Sequence, residues 1–190
     1  MLEPPSLRRP AVFLDRDGTI AEEVGYLNHA SRFCMFPFAA TAIRRLNEAG
    51  LPVMVVTNQS GVGRGYFPES LVRSVNELMT QQLAEAGAKL DAIYYCPHTS
   101  ANGCNCRKPK TGMLERAAVE HALDLARSIV VGDRYGDLEL ARNVSARGIL
   151  VRTGYGEGEL AWHAAKWPFQ PDFIAGDLAQ AADWILRQPK

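Results

Sequence analysis

Residues 52–57 read Pro-Val-Met-Val-Val-Thr, an unbroken apolar run rich in β-branched side chains that ends on a hydroxyl. A run of this kind predicts a strand buried on both faces, and such strands belong to parallel sheets with helices packed on each side. The flanking segments supply those helices. Ala39, Ala42, Ile43, Leu46 and Ala49 recur at helical spacing in 37–50, and Leu71, Val72, Val75, Leu78, Met79 and Leu83 do so in 68–87, each segment closing on glycine. Further strands are expected at 11–15, 91–95, 128–131 and 148–151, with helices at 112–125, 137–146 and 178–187. Strands alternating with helices of about ten or more residues indicate βαβ units. The expected class is α/β, a doubly wound, Rossmann-like parallel sheet. A chain of 190 residues fits one domain over 1–190, its core running from about 11 to 187.

Composition narrows the classes of function. Apolar residues make up 47% and charged residues 22%, a balance that folds rather than stays disordered. Lys plus Arg and Asp plus Glu number 21 each, so no net positive charge favours a polyanion. Arg107, Lys108 and Lys110 form a basic cluster without interleaved aromatics, which suits a small anionic substrate better than nucleic acid. No apolar run approaches the roughly 18 residues that span a bilayer, and residues 1–9 (MLEPPSLRR) carry no apolar segment of a secretory signal. A cytoplasmic monomer with neither nucleic-acid nor membrane partner is expected.

Open α/β sheets bind ligands beyond the carboxyl ends of their strands. Asp15, Asp17 and Gly18 follow the first expected strand, Thr57 and Asn58 the second, a Cys/His loop the third and Asp133 the fourth. Two carboxylates at i and i+2 approach each other when the chain turns at Gly18, and they repel unless a cation or proton intervenes. Magnesium, which takes a few carboxylates plus water and phosphate oxygens, suits such a pair. An Asx-type turn is the competing structural reading.

Three of the four cysteines, Cys96, Cys104 and Cys106, cluster around His98. In a reduced compartment this predicts a metal rather than disulfides. Cys₃His is a closed tetrahedral zinc set with no position open to substrate, so a zinc at 96–106 would be structural and would pin the loop that delivers Arg107 and Lys108. Cys34 stands alone and is expected to be a small buried apolar residue.

The segment Asp15-Arg16-Asp17-Gly18-Thr19 after an apolar strand resembles motif I of the haloacid dehalogenase (HAD) superfamily of aspartyl-phosphate phosphatases. Thr57, Lys108 and the GDRYGD run from Gly132 through Asp133 to Asp137 follow in the order of its motifs II, III and IV. The runs LDRDGT at 14–19, GY at 25–26, VVTNQSGVGRG at 55–65, YYCPH at 94–98, CNCRKPKTGM at 104–113 and VGDRYGD at 131–137 narrow this further. From 11 to 187 the chain resembles the D-glycero-D-manno-heptose 1,7-bisphosphate phosphatases and the related histidinol-phosphate phosphatases. The resemblance implies that Asp15 is the nucleophile and Asp17 the general acid and base. It implies magnesium at Asp15, Asp133 and, through its backbone carbonyl, Asp17, with Thr57 and Lys108 on the phosphoryl oxygens. Glu23, Val24, Gly25, Tyr26, Asn58, Gln59, Ser60 and Arg107 would contact substrate.

The implied reaction removes the C7 phosphate of a heptose 1,7-bisphosphate, leaving heptose 1-phosphate for a surface glycan such as lipopolysaccharide. Histidinol-phosphate hydrolysis uses the same machinery and stands as the alternative. A non-catalytic phosphosugar-binding protein would not need both Asp15 and Asp17. The loop between His98 and Cys104 is shorter than the family pattern, which bears on the substrate face it covers.

No stretch is long enough for a separate cap domain, so loops 20–36, 60–67 and 96–111 are expected to shape the pocket. Arg64, between Gly63 and Gly65, either engages a distal phosphate or is a solvated loop arginine. Tyr26 either walls the sugar site or packs its loop. Asp137 is expected as a helix N-cap. His29, His121 and His163 have no partner spacing and read as structural. Trp162 and Trp167 are expected to cover the sheet edge.

Overall fold

The computed structural model describes residues 8–188. The expectation drawn from residues 1–9 therefore falls mostly outside the described residues. Among the described residues six parallel strands form one sheet: β1 Val12–Leu14, β2 Val53–Asn58, β3 Ala92–Cys96, β4 Ile129–Gly132, β5 Arg147–Val151 and β6 Phe173–Ala175. Their order is β3-β2-β1-β4-β5-β6, with Val12 paired to Val53 on one side and to Ile129 on the other. The chain winds outward in both directions from β1 and β4, so the carboxyl ends of these two strands border the crevice where ligands bind in such folds.

Helices cover both faces because the strand side chains alternate. Val12, Leu14, Val53, Val55, Ile129 and Val131 point into one core layer with α1 (Ala39–Glu48), α2 (Glu69–Glu85) and α6 (Leu178–Leu186). Phe13, Met54, Val56, Tyr94 and Val130 point into the other, with α3 (Gly112–His121) and α4 (Tyr135–Asn143). The amphipathic stripe read in α1 is the face that packs, since Ala42, Ile43 and Leu46 are buried. Truncating Leu46 to Ala would cost about 2–5 kcal/mol.

Several expectations need correction. The sixth strand, β6, and the short helix α5 (Gly156–Trp162) lacked a sequence signal: β6 is three residues long, and α5 carries Gly156 and Gly158. The expected helix over 112–125 stops at His121, where Ala122 turns left-handed and Leu123 drops into the core. Trp162 is exposed and Trp167 stacks on Tyr135 of α4; the tryptophan that packs on the edge strand is Trp184, stacked on Phe173 of β6. Cys34 is exposed, because it follows the short turn Ala30–Arg32 and the neighbouring Phe33 takes the buried position. Among the described residues no helix is long and apolar enough to cross a membrane.

Candidate active site

A cleft of about 470 Å³ opens over the carboxyl ends of the strands. Asp15, Asp17, Thr57, Lys108, Asp133 and Asp137 line it, together with Glu23, Gly25, Tyr26, Asn58, Gln59, Ser60, Arg64 and Arg107. Val24 does not; it packs against the core beneath.

Asp15 leaves β1 with its backbone N–H bonded to Val131 O of β4, and its carboxylate reaches the cleft floor. Lys108 Nζ lies 2.8 Å from Asp15 Oδ2 and 2.6 Å from Asp137 Oδ1. Asn58 holds the Lys108 backbone in place: its Nδ2 donates to Lys108 O at 3.2 Å and its Oδ1 accepts from Lys108 N at 3.1 Å. Asp137 is not the N-cap of α4. It sits three residues in, accepts from the Arg134 N–H at 3.2 Å, and turns its other oxygen to Lys108.

Asp17 belongs to a separate network. Arg16, 1% exposed, donates Nε to Asp17 Oδ1 at 3.1 Å and Nη2 to Asp17 Oδ2 at 2.9 Å, and is anchored through Nη1 to Asn76 Oδ1. Gln59 Nε2 bridges Asp17 Oδ2 at 2.8 Å and Thr57 Oγ1 at 2.9 Å. The side chains of Asn58 and Gln59 are thus committed to protein partners.

Charge in the floor does not balance. Asp15, Asp133 and Asp137 offer carboxylate oxygens within 4.8 Å of one another, with Lys108 bridging Asp15 and Asp137. Burial, aided by Asp15 and Asp137, pushes the Asp133 carboxyl up to about 8, although the Tyr155 N–H and Lys108 pull against it. Burial likewise raises Asp15 to about 6 despite the attraction of Lys108. At Lys108 burial favours the neutral amine, but Asp137 and Asp15 outweigh it and hold the ammonium above its ordinary range. A buried acidic excess of this kind fits a hard divalent cation with oxygen ligands. The Asp17 carboxylate is engaged with Arg16 and Gln59, which leaves its backbone carbonyl as the group expected to face such an ion.

The Cys/His set comes together as its clustering in the sequence suggested. Cys96 Sγ lies 3.6 Å from Cys104 Sγ and 3.2 Å from Cys106 Sγ, and His98 Nδ1 lies 3.3 Å from Cys106 Sγ. Zn–S bonds of about 2.3 Å in a tetrahedron require S···S edges of about 3.8 Å, close to these values. Burial pushes Cys96 up to about 12, whereas at Cys104 hydrogen bonds from Cys106 and the Arg107 N–H outweigh burial and bring it down to about 6. Such a thiol cluster becomes fully ionised only around a cation, so the donor set fits zinc. The loop is tied into the cleft wall: Gln59 N bonds Cys96 O at 2.7 Å, Gly63 N bonds Pro97 O at 2.8 Å and Arg107 Nη1 bonds His98 O at 3.2 Å.

One wall of the cleft goes beyond the expected motifs. Tyr155 and Glu159 line it beside Arg134 and Gly136 of the GDRYGD run, so the segment after β5 joins the expected loops. Thr153 Oγ1 donates to Gly18 O at 2.6 Å and Tyr155 N to Asp133 Oδ2 at 2.8 Å. The turn is so tight that a β-carbon at Gly18 or Gly154 would overlap Asp133 Oδ2. The signal for its Tyr155 side is the glycine-rich run Thr153-Gly154-Tyr155-Gly156 shortly after a strand.

Comparison with known proteins agrees with this arrangement. Residues 105–181 match the HAD-hydrolase-like family. The chain is 46% identical to the D-glycero-D-manno-heptose-1,7-bisphosphate 7-phosphatase of Thermosynechococcus vestitus, covering 93% of this chain and 95% of that protein. It is 40% identical to the D-glycero-beta-D-manno-heptose-1,7-bisphosphate 7-phosphatase of Pseudomonas aeruginosa, covering 95% of this chain and 100% of that protein. The crystal structure of D,D-heptose 1,7-bisphosphate phosphatase from B. bronchiseptica, complexed with magnesium and phosphate, superposes with a TM-score of 0.87 at 34% identity, covering 95% of this chain and 99% of that one. With the parallel sheet, the acidic floor and the Cys/His loop, these likenesses over nearly the whole length establish that the chain is a HAD-type phosphatase and belongs to the D-glycero-D-manno-heptose-1,7-bisphosphate 7-phosphatase family.

Proposed function

We propose that this protein hydrolyses the C7 phosphate of D-glycero-D-manno-heptose 1,7-bisphosphate, yielding heptose 1-phosphate and inorganic phosphate. The observation that carries the reading is the pairing of Asp15 with Lys108 on the cleft floor, 2.8 Å apart, while Arg16 and Gln59 hold Asp17 in a network of its own. Two carboxylates close in sequence but kept in different surroundings suit two roles.

An Asp15 Oδ atom attacks phosphorus in line, and the bond to the C7 oxygen breaks as Asp17 delivers a proton to that oxygen. The leaving group departs as heptose 1-phosphate with a free C7 hydroxyl. Water then attacks the aspartyl-phosphate, Asp17 takes the water proton, and inorganic phosphate leaves with Asp15 restored. Lys108 Nζ and Thr57 Oγ1 hold phosphoryl oxygens whose charge shifts during both displacements. Asp15 and Asp133, with the Asp17 carbonyl, would hold magnesium, which neutralises charge on the transferring group when bound. Glu23, Gly25, Tyr26, Ser60 and Arg107 wall the sugar, and Asn58 and Gln59 act by positioning Lys108 and Asp17. Zinc at Cys96, His98, Cys104 and Cys106 pins the loop before Lys108. Reduced cysteines in that role agree with a cytoplasmic protein, and a cleft complete within one chain agrees with a monomer.

The test is magnesium-dependent phosphate release from the α- and β-anomers of heptose 1,7-bisphosphate against histidinol phosphate. A kcat/KM preference for a heptose anomer of about a hundredfold or more is expected, the scale on which buried polar contacts discriminate. A preference for histidinol phosphate overturns the substrate while leaving the chemistry intact.

A further inference from the structure

A bisphosphate brings a second phosphate that is not transferred, and the cleft must meet its charge with a cation away from the floor. Arg64, Arg107 and Arg134 line the cleft outside the Asp15–Lys108 pair. Arg107 is partly spent on His98 O, and Arg64 lies on the exposed face of its loop with no aromatic or carboxylate partner among the described residues. Arg134 differs. Its guanidinium carbon lies 3.7 Å from the centroid of the Tyr155 ring, the closest cation–aromatic approach among the described residues. No hydrogen bond or ion pair engages its guanidinium among those residues, although Glu23 of the same cleft feels its charge.

We infer that Tyr155 is a positioning residue that holds Arg134 ready for the phosphate that stays on the sugar. The inference rests on the proposed bisphosphate reading. A guanidinium stacked on a ring keeps its donors in the plane parallel to that ring, so they point outward as a fork that matches two phosphate oxygens. An unsupported surface arginine must first lose rotamer freedom to bind; the stack removes much of that cost before substrate arrives.

The backbone that carries the ring is held in place. The Tyr155 N–H is bonded to Asp133 Oδ2, and Gly154 before it presses against Gly18 and Asp133. The turn that orients an acid of the floor therefore also sets the height of the ring. Asp133 and Arg134 are consecutive, so the turn that fixes an acid of the floor also fixes where Arg134 leaves the chain.

The test compares heptose 1,7-bisphosphate with heptose 7-phosphate, the same sugar lacking the retained phosphate, as a ratio of kcat/KM values. Wild type should favour the bisphosphate. In Tyr155→Ala the ratio should fall about fivefold, through KM for the bisphosphate, on the scale of a partly desolvated cation–π contact. Tyr155→Phe, which keeps the ring, should restore the ratio. Arg134→Ala should lower it further, and the double variant should be no worse than Arg134→Ala alone. An unchanged ratio in Tyr155→Ala, or an equal loss on both substrates, overturns the inference. A wild-type enzyme that ignores the second phosphate, or turns over neither heptose, instead overturns the bisphosphate reading on which it rests.

Discussion

Lys108 Nζ and Asp15 Oδ2 lie 2.8 Å apart on the floor of the cleft, although Asp15 follows the central strand β1 and Lys108 ends the long loop after the edge strand β3. The ammonium is shared with Asp137 at 2.6 Å and has little contact with solvent. Replacing it with the uncharged Lys108→Met removes the donor to the phosphoryl group and leaves the buried acids unbalanced. Steady-state kinetics should give a kcat about 10²–10³-fold lower, the scale of one lost charge-stabilising donor. Lys108→Arg should not rescue it, because the buried slot holds a point charge rather than a planar fork. Activity of Lys108→Met within tenfold of wild type would remove Lys108 from the phosphoryl site.

Asp15→Asn keeps the size and most hydrogen bonds of the side chain but not the nucleophile. Turnover should fall by at least about 10³-fold, as for other covalent nucleophiles. The circular-dichroism spectrum should not change. Rapid quench of wild type with labelled substrate should trap phosphate on the protein, and the variant should trap none.

Stability should depend on pH in a direction set by the acidic floor. Without magnesium, burial pushes the Asp15 carboxyl up to about 6 and the Asp133 carboxyl up to about 8, both above the ordinary 3.8. Raised carboxyls favour the folded state while protonated, so that stability is complete below about pH 4 and is lost as pH climbs through 6 and then 8. The melting temperature of metal-free protein should fall across that window. Magnesium should restore it by an increment that grows with pH. Asp133→Asn should flatten the upper half of the profile; a flat profile in the wild-type protein would count against the buried acidic excess.

Metal analysis should find about one zinc per chain, as a closed Cys₃His set demands. Stripping it with a strong chelator should lower the melting temperature by about 10 °C or more, given what structural zinc contributes to folding. Because the same loop runs on into Arg107 and Lys108, kcat/KM should drop in parallel. Cys104→Ser should reproduce both effects, and a stable, active, zinc-free protein would defeat the clamp.

Two glycines with similar backbones should respond differently to alanine. Gly154 and Gly65 both have positive φ, at +58° and +71°, and each loses about 1 kcal/mol to strain on substitution. At Gly65 the added β-carbon meets open space, whereas at Gly154 it overlaps Asp133 Oδ2 and the Gly18 backbone. Gly154→Ala should therefore cost clearly more in urea denaturation, and should also weaken magnesium binding measured by calorimetry. Equal costs at the two sites would mean that the turn after β5 does not brace Asp133.

Much of this molecule is legible in its amino-acid order alone. The strand at 52–57 and the stripes of α1 and α2 set the sheet and its layers, because burial on both faces needs continuous apolar strands and single-faced helices. The motif residues Asp15, Asp17, Thr57, Lys108 and Asp133 and the four zinc-set side chains are visible through local chemistry, at or just beyond the ends of readable strands. What local pattern does not supply is direction and contact across the sheet. That Asp137 reaches Lys108 with one oxygen while the other accepts the Arg134 N–H at the start of α4, that Val24 faces the core, that Cys34 lies exposed, and that Thr153 and Tyr155 brace Gly18 and Asp133 are all matters of tertiary packing, the last of them set by the β1–β4–β5 order. Local pattern records which residues prefer burial or charge. Only the closing of distant strand ends on one crevice determines which of them meet.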